Sequence, residues 1–138
     1  MEKLFIDTNI ALDLLAERQP FYTYAAKLFT LAEKKKVLLY ISALSINDIN
    51  YLLSKQYNRA TSRRILIRFN SFVNILAVDT AIINSALNSS FSDFEDAIQY
   101  YAALENDIPV IITRDLKDYK DSTIPVMTAE MYLKTVSK

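Results

Sequence analysis

"FIDTNI", residues 5–10, decides how this chain is read: an apolar run stops on an aspartate, and Thr8 and Asn9 follow it. Lys3 to Ile6 reads as a short buried strand. From Thr8 the apolar residues recur at helical spacing, with Ile10, Ala11, Leu14 and Leu15 on one face as far as about Glu17. Asp7 therefore sits at the carboxyl end of a strand and the amino end of a helix. An acid there serves either as an N-cap or as a ligand at the mouth of a parallel sheet.

Outward from this stretch the same alternation repeats. A helix is predicted from Pro20, a strand at 37–42 ("VLLYIS"), helices at 45–57 and 59–72, a strand at 73–78 and a helix at 80–89. A longer helix covers 92–106, strands cover 109–113 and 125–127, and a helix covers 129–136. Strands that alternate with helices imply crossover connections. The expected fold is an α/β three-layer sandwich around a mostly parallel sheet of about five strands, with residues 1–138 as one domain. With no glycine in the chain, Asn58, Asn70, Asn88 and Asn106 are expected to take left-handed helix ends.

The chain has no His, Cys, Gly or Trp. That excludes a Ser-His-Asp triad, a thiol nucleophile, a zinc site of the usual ligands and a glycine-rich phosphate cradle. Any catalysis falls to carboxylates, which favour hard cations such as Mg²⁺ or Mn²⁺. Formal net charge is zero, so no global field draws the chain to nucleic acid. Without an apolar run of membrane-spanning length or a signal-peptide plan, a soluble cytoplasmic protein is expected.

Four acids from distant segments fall on one predicted sheet edge: Asp7, Asp48, Asp96 and Asp115, with Asp93 near them. Each has an ordinary alternative. Ser45-x-x-Asp48 and Ser92-x-x-Glu95 have capping-box spacing, Asp93 suits a helix N-terminus, and Asp115 with Asp118 and Asp121 suits a solvated loop. Together they repel one another unless a cation compensates, and a divalent ion so held assists phosphodiester hydrolysis. Around them, Arg114, Lys117 and the i,i+4 pair Arg59 and Arg63 are candidate RNA-backbone contacts, or else partners of local acids and a solvated helix face.

Four motifs, "FIDTNI", "YISALSINDI" (40–49), "DFEDAI" (93–98) and "VIITRDLKDY" (110–119), together resemble the PIN domain. That nuclease fold is best known from VapC-type toxins of bacterial toxin–antitoxin pairs. The resemblance implies that Asp7, Asp96 and Asp115 are the core metal ligands, with Asp48 where the family usually has glutamate and Asp93 as a fifth acid. Thr8, Asn9 and Thr113 are implied as supporting residues. It further implies a Mg²⁺- or Mn²⁺-dependent endoribonuclease, a homodimer and a small antitoxin partner. The shorter side chain at position 48 keeps a second reading open, a weakened PIN-fold module that binds RNA or protein without cutting. Haloacid-dehalogenase-like phosphatases fit less well, since they want an aspartate where Asn9 stands, and receiver domains want a lysine where the "TRD" of 113–115 falls.

Overall fold

The computed structural model describes residues 1–136. β1 (Glu2–Ile6) leads into α1 (Thr8–Leu15) and α2 (Tyr22–Glu33), then β2 (Val37–Ser42), α3 (Ala43–Gln56), α4 (Arg59–Asn70) and β3 (Asn74–Leu76). Next come α5 (Thr80–Leu87), α6 (Phe94–Glu105), β4 (Ile111–Ile112), a 3₁₀ turn (Leu116–Tyr119), β5 (Val126–Met127) and α7 (Ala129–Val136). Strand order is β3-β2-β1-β4-β5, and every pairing is parallel. The expected α/β sandwich is therefore observed, with a fully parallel sheet.

β1 is central because it is apolar on both faces. Leu4 and Ile6 pack with Leu28, Leu39, Ile49 and Leu53 on the side of α1 to α4 and α7. Phe5 points the other way, toward Ile82, Ala97, Ile98 and Ile111 under α5 and α6. All three are fully buried, worth about 1.5–3 kcal/mol each by transfer of apolar surface from water. The chain runs from β1 to β2 on one side and reaches β4 on the other. A crevice between strands at this switch point is where open parallel sheets bind ligands.

Several predicted boundaries move. α2 starts at Tyr22 rather than Pro20, which lies in the preceding turn. α3 starts earlier than expected, because Ser42 caps it by accepting from the Ser45 amide at 3.3 Å. Asp48 is therefore no cap. β3 and β4 are shorter than their apolar runs, since only their central residues pair. The expected left-handed asparagines are also corrected: positive φ occurs at Glu17, Lys35 and Asp107. Asn106 ends α6 with φ −101°, and Asp107 takes the left-handed position, with Ile108 N–H closing back onto the Ala103 carbonyl at 3.0 Å. Asn88 likewise has negative φ, and Asn58 is the N-cap of α4, accepting from the Thr61 amide at 2.8 Å.

Candidate active site

Register builds the centre of the site. Ile6 pairs with Ile112, so the residues after them, Asp7 and Thr113, emerge side by side from β1 and β4. Asp7 caps α1: Oδ1 accepts from the Asn9 amide at 3.0 Å and the Ile10 amide at 3.3 Å. Its Oδ2 accepts a short hydrogen bond from the Thr113 hydroxyl. Thr113 is wholly buried, and its Oγ1 also accepts from the Asp115 amide at 3.1 Å. One hydroxyl thus fixes both the Asp7 carboxylate and the backbone that presents Asp115. Burial lifts Asp7 to about 6, against the hydrogen bonds from Thr113, Ile10 and Asn9, and the Asp115 charge adds to the rise.

Asp96 arrives from the first turn of α6. Its amide donates to Asp93 Oδ1 at 2.9 Å, so Asp93 is the N-cap of that helix. Burial, then the charges of Asp93, Asp118 and Asp7, raise Asp96 to about 7. Asp115 is exposed and opens the 3₁₀ turn with no side-chain capping bond.

Glu95 is a site residue that sequence reasoning missed. Its carboxyl stands against that of Asp48. This contact, with burial and the charges of Asp48, Asp93 and Asp96, lifts Glu95 to about 8. The capping-box spacing of Ser92 and Glu95 drew that residue into a local role, which Asp93 fills instead. Its place between Asp93 and Asp96 in "DFED" was the available signal.

Beneath the acids runs a belt of polar side chains, in which the expected supporting residue Thr8 is joined by residues that the sequence reading gave no part in the site. Ser42 Oγ lies 3.3 Å from Ser45 Oγ, which lies 2.7 Å from Thr8 Oγ1. Gln99 Nε2 donates to Thr8 Oγ1 at 3.3 Å, and the Tyr119 hydroxyl lies 3.5 Å from both Gln99 Oε1 and Asp96 Oδ1. Gln99 and Tyr119 are buried, so the belt ties α3, α1, α6 and the 3₁₀ turn together where their ends meet. A glutamine within the apolar run Ala97, Ile98, Tyr100, Ala102 and Ala103 was the visible clue.

Other predicted residues take distinct places. Asn9 accepts from Arg18 at 3.3 Å through its side chain. Arg114 Nε lies 3.0 Å from Asp13 Oδ2, and its guanidinium sits 4.0 Å from the centre of the Phe21 ring, so it pairs with a local acid. Lys117, Arg59 and Arg63 are exposed; the two arginines stand at the α3–α4 side near Asp48. Among the described residues no basic side chain pairs with Asp7, Asp48, Asp96 or Asp115. No three acids there close around one point at ligand distance, so the carboxyl groups form an open arc. All-oxygen donors that repel one another fit a hard divalent cation better than any other partner.

Residues 3–117 match the PIN domain. The chain is 28% identical over 139 residues to ribonuclease VapC1 of Aquifex aeolicus (strain VF5), covering 95% of this chain and 93% of that protein. A toxin–antitoxin complex from Klebsiella pneumoniae contains a chain that superposes with TM-score 0.67 at 25% identity, over 91% of this chain and 97% of its own. DNA-bound VapBC from Salmonella typhimurium gives TM-score 0.70 at 16% identity, over 94% and 99%. The pattern match spans most of the chain, and the fold agrees with it: this protein belongs to the PIN domain family.

Proposed function

We propose that the protein is a divalent-metal-dependent endoribonuclease that hydrolyses RNA phosphodiester bonds. The observation that carries the reading is the gathering of Asp7, Asp96 and Asp115 at the carboxyl end of the sheet, paired with no basic side chain among the described residues, with Asp7 and Asp96 raised above the ordinary carboxylate range by burial and by neighbouring acids. Asp7, Asp96 and Asp115 would hold Mg²⁺ or Mn²⁺, with Asp48, Glu95 and Asp93 on the rim. When bound, the ion supplies Lewis-acid activation of water and charge stabilisation at the phosphate. The chain's own residues do the rest. Thr113 holds the Asp7 carboxylate and the Asp115 backbone in place, and Tyr119 hydrogen-bonds Asp96. Without a histidine, protons move through carboxyl groups and solvent.

Likeness to a VapC ribonuclease and to a toxin–antitoxin complex supports a toxin role with an antitoxin partner; inhibition by that partner and action as a homodimer in the cytoplasm complete the proposed reading. No helix among the described residues is long and apolar enough to cross a membrane. One observation favours a second reading, a binding module that no longer cuts: Asp48 stands in place of the usual glutamate and is engaged by Glu95.

The test is cleavage of a mixed-sequence, end-labelled RNA by the pure full chain in Mg²⁺ or Mn²⁺, beside EDTA and Asp7→Asn controls. Cleavage that needs the ion and vanishes in the variant is expected. Silence in every lane from folded, antitoxin-free protein would favour the module.

A further inference from the structure

A polar groove of about 510 Å³ opens beside the acidic arc, between Asp48, Tyr51 and Ser54 of α3 and Arg59 and Arg63 of α4. We propose that this groove carries the single strand of RNA that flanks the scissile bond, with backbone phosphates on Arg59 and Arg63 and one unpaired base on Tyr51. The proposal rests on the ribonuclease reading of the acidic site and adds the form and path of the substrate.

Three features of the groove carry it. The first is free positive charge on one wall: Arg59 and Arg63 are exposed, one helical turn apart, and neither is ion-paired among the described residues. Arg64, on the same helix, is instead hydrogen-bonded to Thr61 at 3.1 Å, outside the groove. The second is an exposed aromatic surface that belongs to neither core cluster. Tyr51 is 58% exposed, and the Lys55 ammonium lies over its ring at 4.5 Å from the centre, which adds a cation beside the surface on which a base would stack.

The third feature is rigidity and continuity. Ser62, fully buried, donates to Asn50 Oδ1 at 2.9 Å and pins α4 against α3, so the walls are held before any ligand arrives. Asp48 belongs both to the groove and, through Glu95, to the arc. A strand lying along the arginines therefore runs directly to the carboxylates. A duplex keeps its bases stacked inside and offers none to Tyr51, so the groove favours an unpaired strand. An acidic protein segment would use the arginines but not the tyrosine face.

Binding is measured by anisotropy with a labelled single-stranded RNA of mixed sequence, in the full chain carrying Asp7→Asn and in Mn²⁺, so that association is read without cleavage. Arg59→Ala with Arg63→Ala is compared with Arg64→Ala with Arg68→Ala, which removes equal charge from the same helix outside the groove. The first pair is expected to weaken binding about tenfold or more and to lower the salt slope by about 1.4, at roughly 0.7 per phosphate contact for single strands. The second pair is expected to stay within about twofold. Tyr51→Leu is expected to weaken single-strand binding several-fold while leaving any duplex binding unchanged.

Equal weakening by both pairs, or by neither, would overturn the groove, as would a Tyr51 effect shared by duplex and single strand. Cleavage by the protein without Asp7→Asn separates the two levels. An active enzyme whose KM is unmoved by Arg59→Ala and Arg63→Ala refutes the groove alone, whereas absent cleavage with intact groove binding refutes the ribonuclease reading.

Discussion

Asp7 is held as a carboxylate by one hydroxyl and two amides in a place that would rather have it neutral. Its value near 6 lies above the ordinary 3.8, so the folded chain keeps a proton that the unfolded chain has already lost. The sign follows: this stability is complete below about pH 4 and is lost as pH rises through 6, at most about 3 kcal/mol. Metal-free protein is expected to melt lower at pH 8 than at pH 5, with Asp96 and Glu95 steepening the trend. Asp7→Asn is expected to flatten it and to melt a few degrees higher than the natural chain in EDTA at pH 8. Thr113→Val removes the donor to Asp7 and the acceptor for the Asp115 amide. Denaturant melts are expected to show a loss of about 1–3 kcal/mol, with Asp7 titrating still higher by carboxyl NMR. Of these residues, Asp7 was legible from its position after an apolar run. Glu95 and Gln99 were not, because their roles depend on α3, α1 and the 3₁₀ turn coming to the same end of the sheet.

At the scale of elements, the Asp13–Arg114 pair joins α1 to the loop after β4. Asp13 is 1% exposed, and burial raises it despite the nearby Arg114 and Arg18. Removing only Arg114 leaves a buried acid without its ion-pair partner, with Arg18 as the remaining nearby cation. Arg114→Ala is therefore expected to cost on the order of 3 kcal/mol in thermal or urea melts, and Asp13→Asn in that background is expected to recover much of it. Independent, additive losses would show that the pair is not coupled. Element identities followed from apolar periodicity, but their ends did not. The α3 start was misread because Ser45 and Asp48 have capping spacing while Ser42, inside a β-type run, does the capping. The left-handed positions were misread for a similar reason: asparagine tolerates that geometry best, yet Asp107 takes it one residue later because a return bond from Ile108 closes the helix there.

For the whole molecule, the sheet order converts distance in sequence into proximity. β1 and β4 are neighbours although about a hundred residues separate them, and the crossover helices bring Asp48, Glu95 and Asp96 to the same edge. Alternating strands and helices announced the layers, but not that β1 would be central or that β1 and β4 would pair. The central claim is that the acids at this edge act together as one divalent-ion site. Isothermal titration of Mn²⁺ into the metal-free full chain near pH 7.5, repeated in buffers of different ionisation enthalpy, tests it most directly. Binding that releases protons from the raised carboxyls and is lost in Asp7→Asn is the expected result. No heat up to millimolar Mn²⁺, or binding unchanged by Asp7→Asn, would contradict the account.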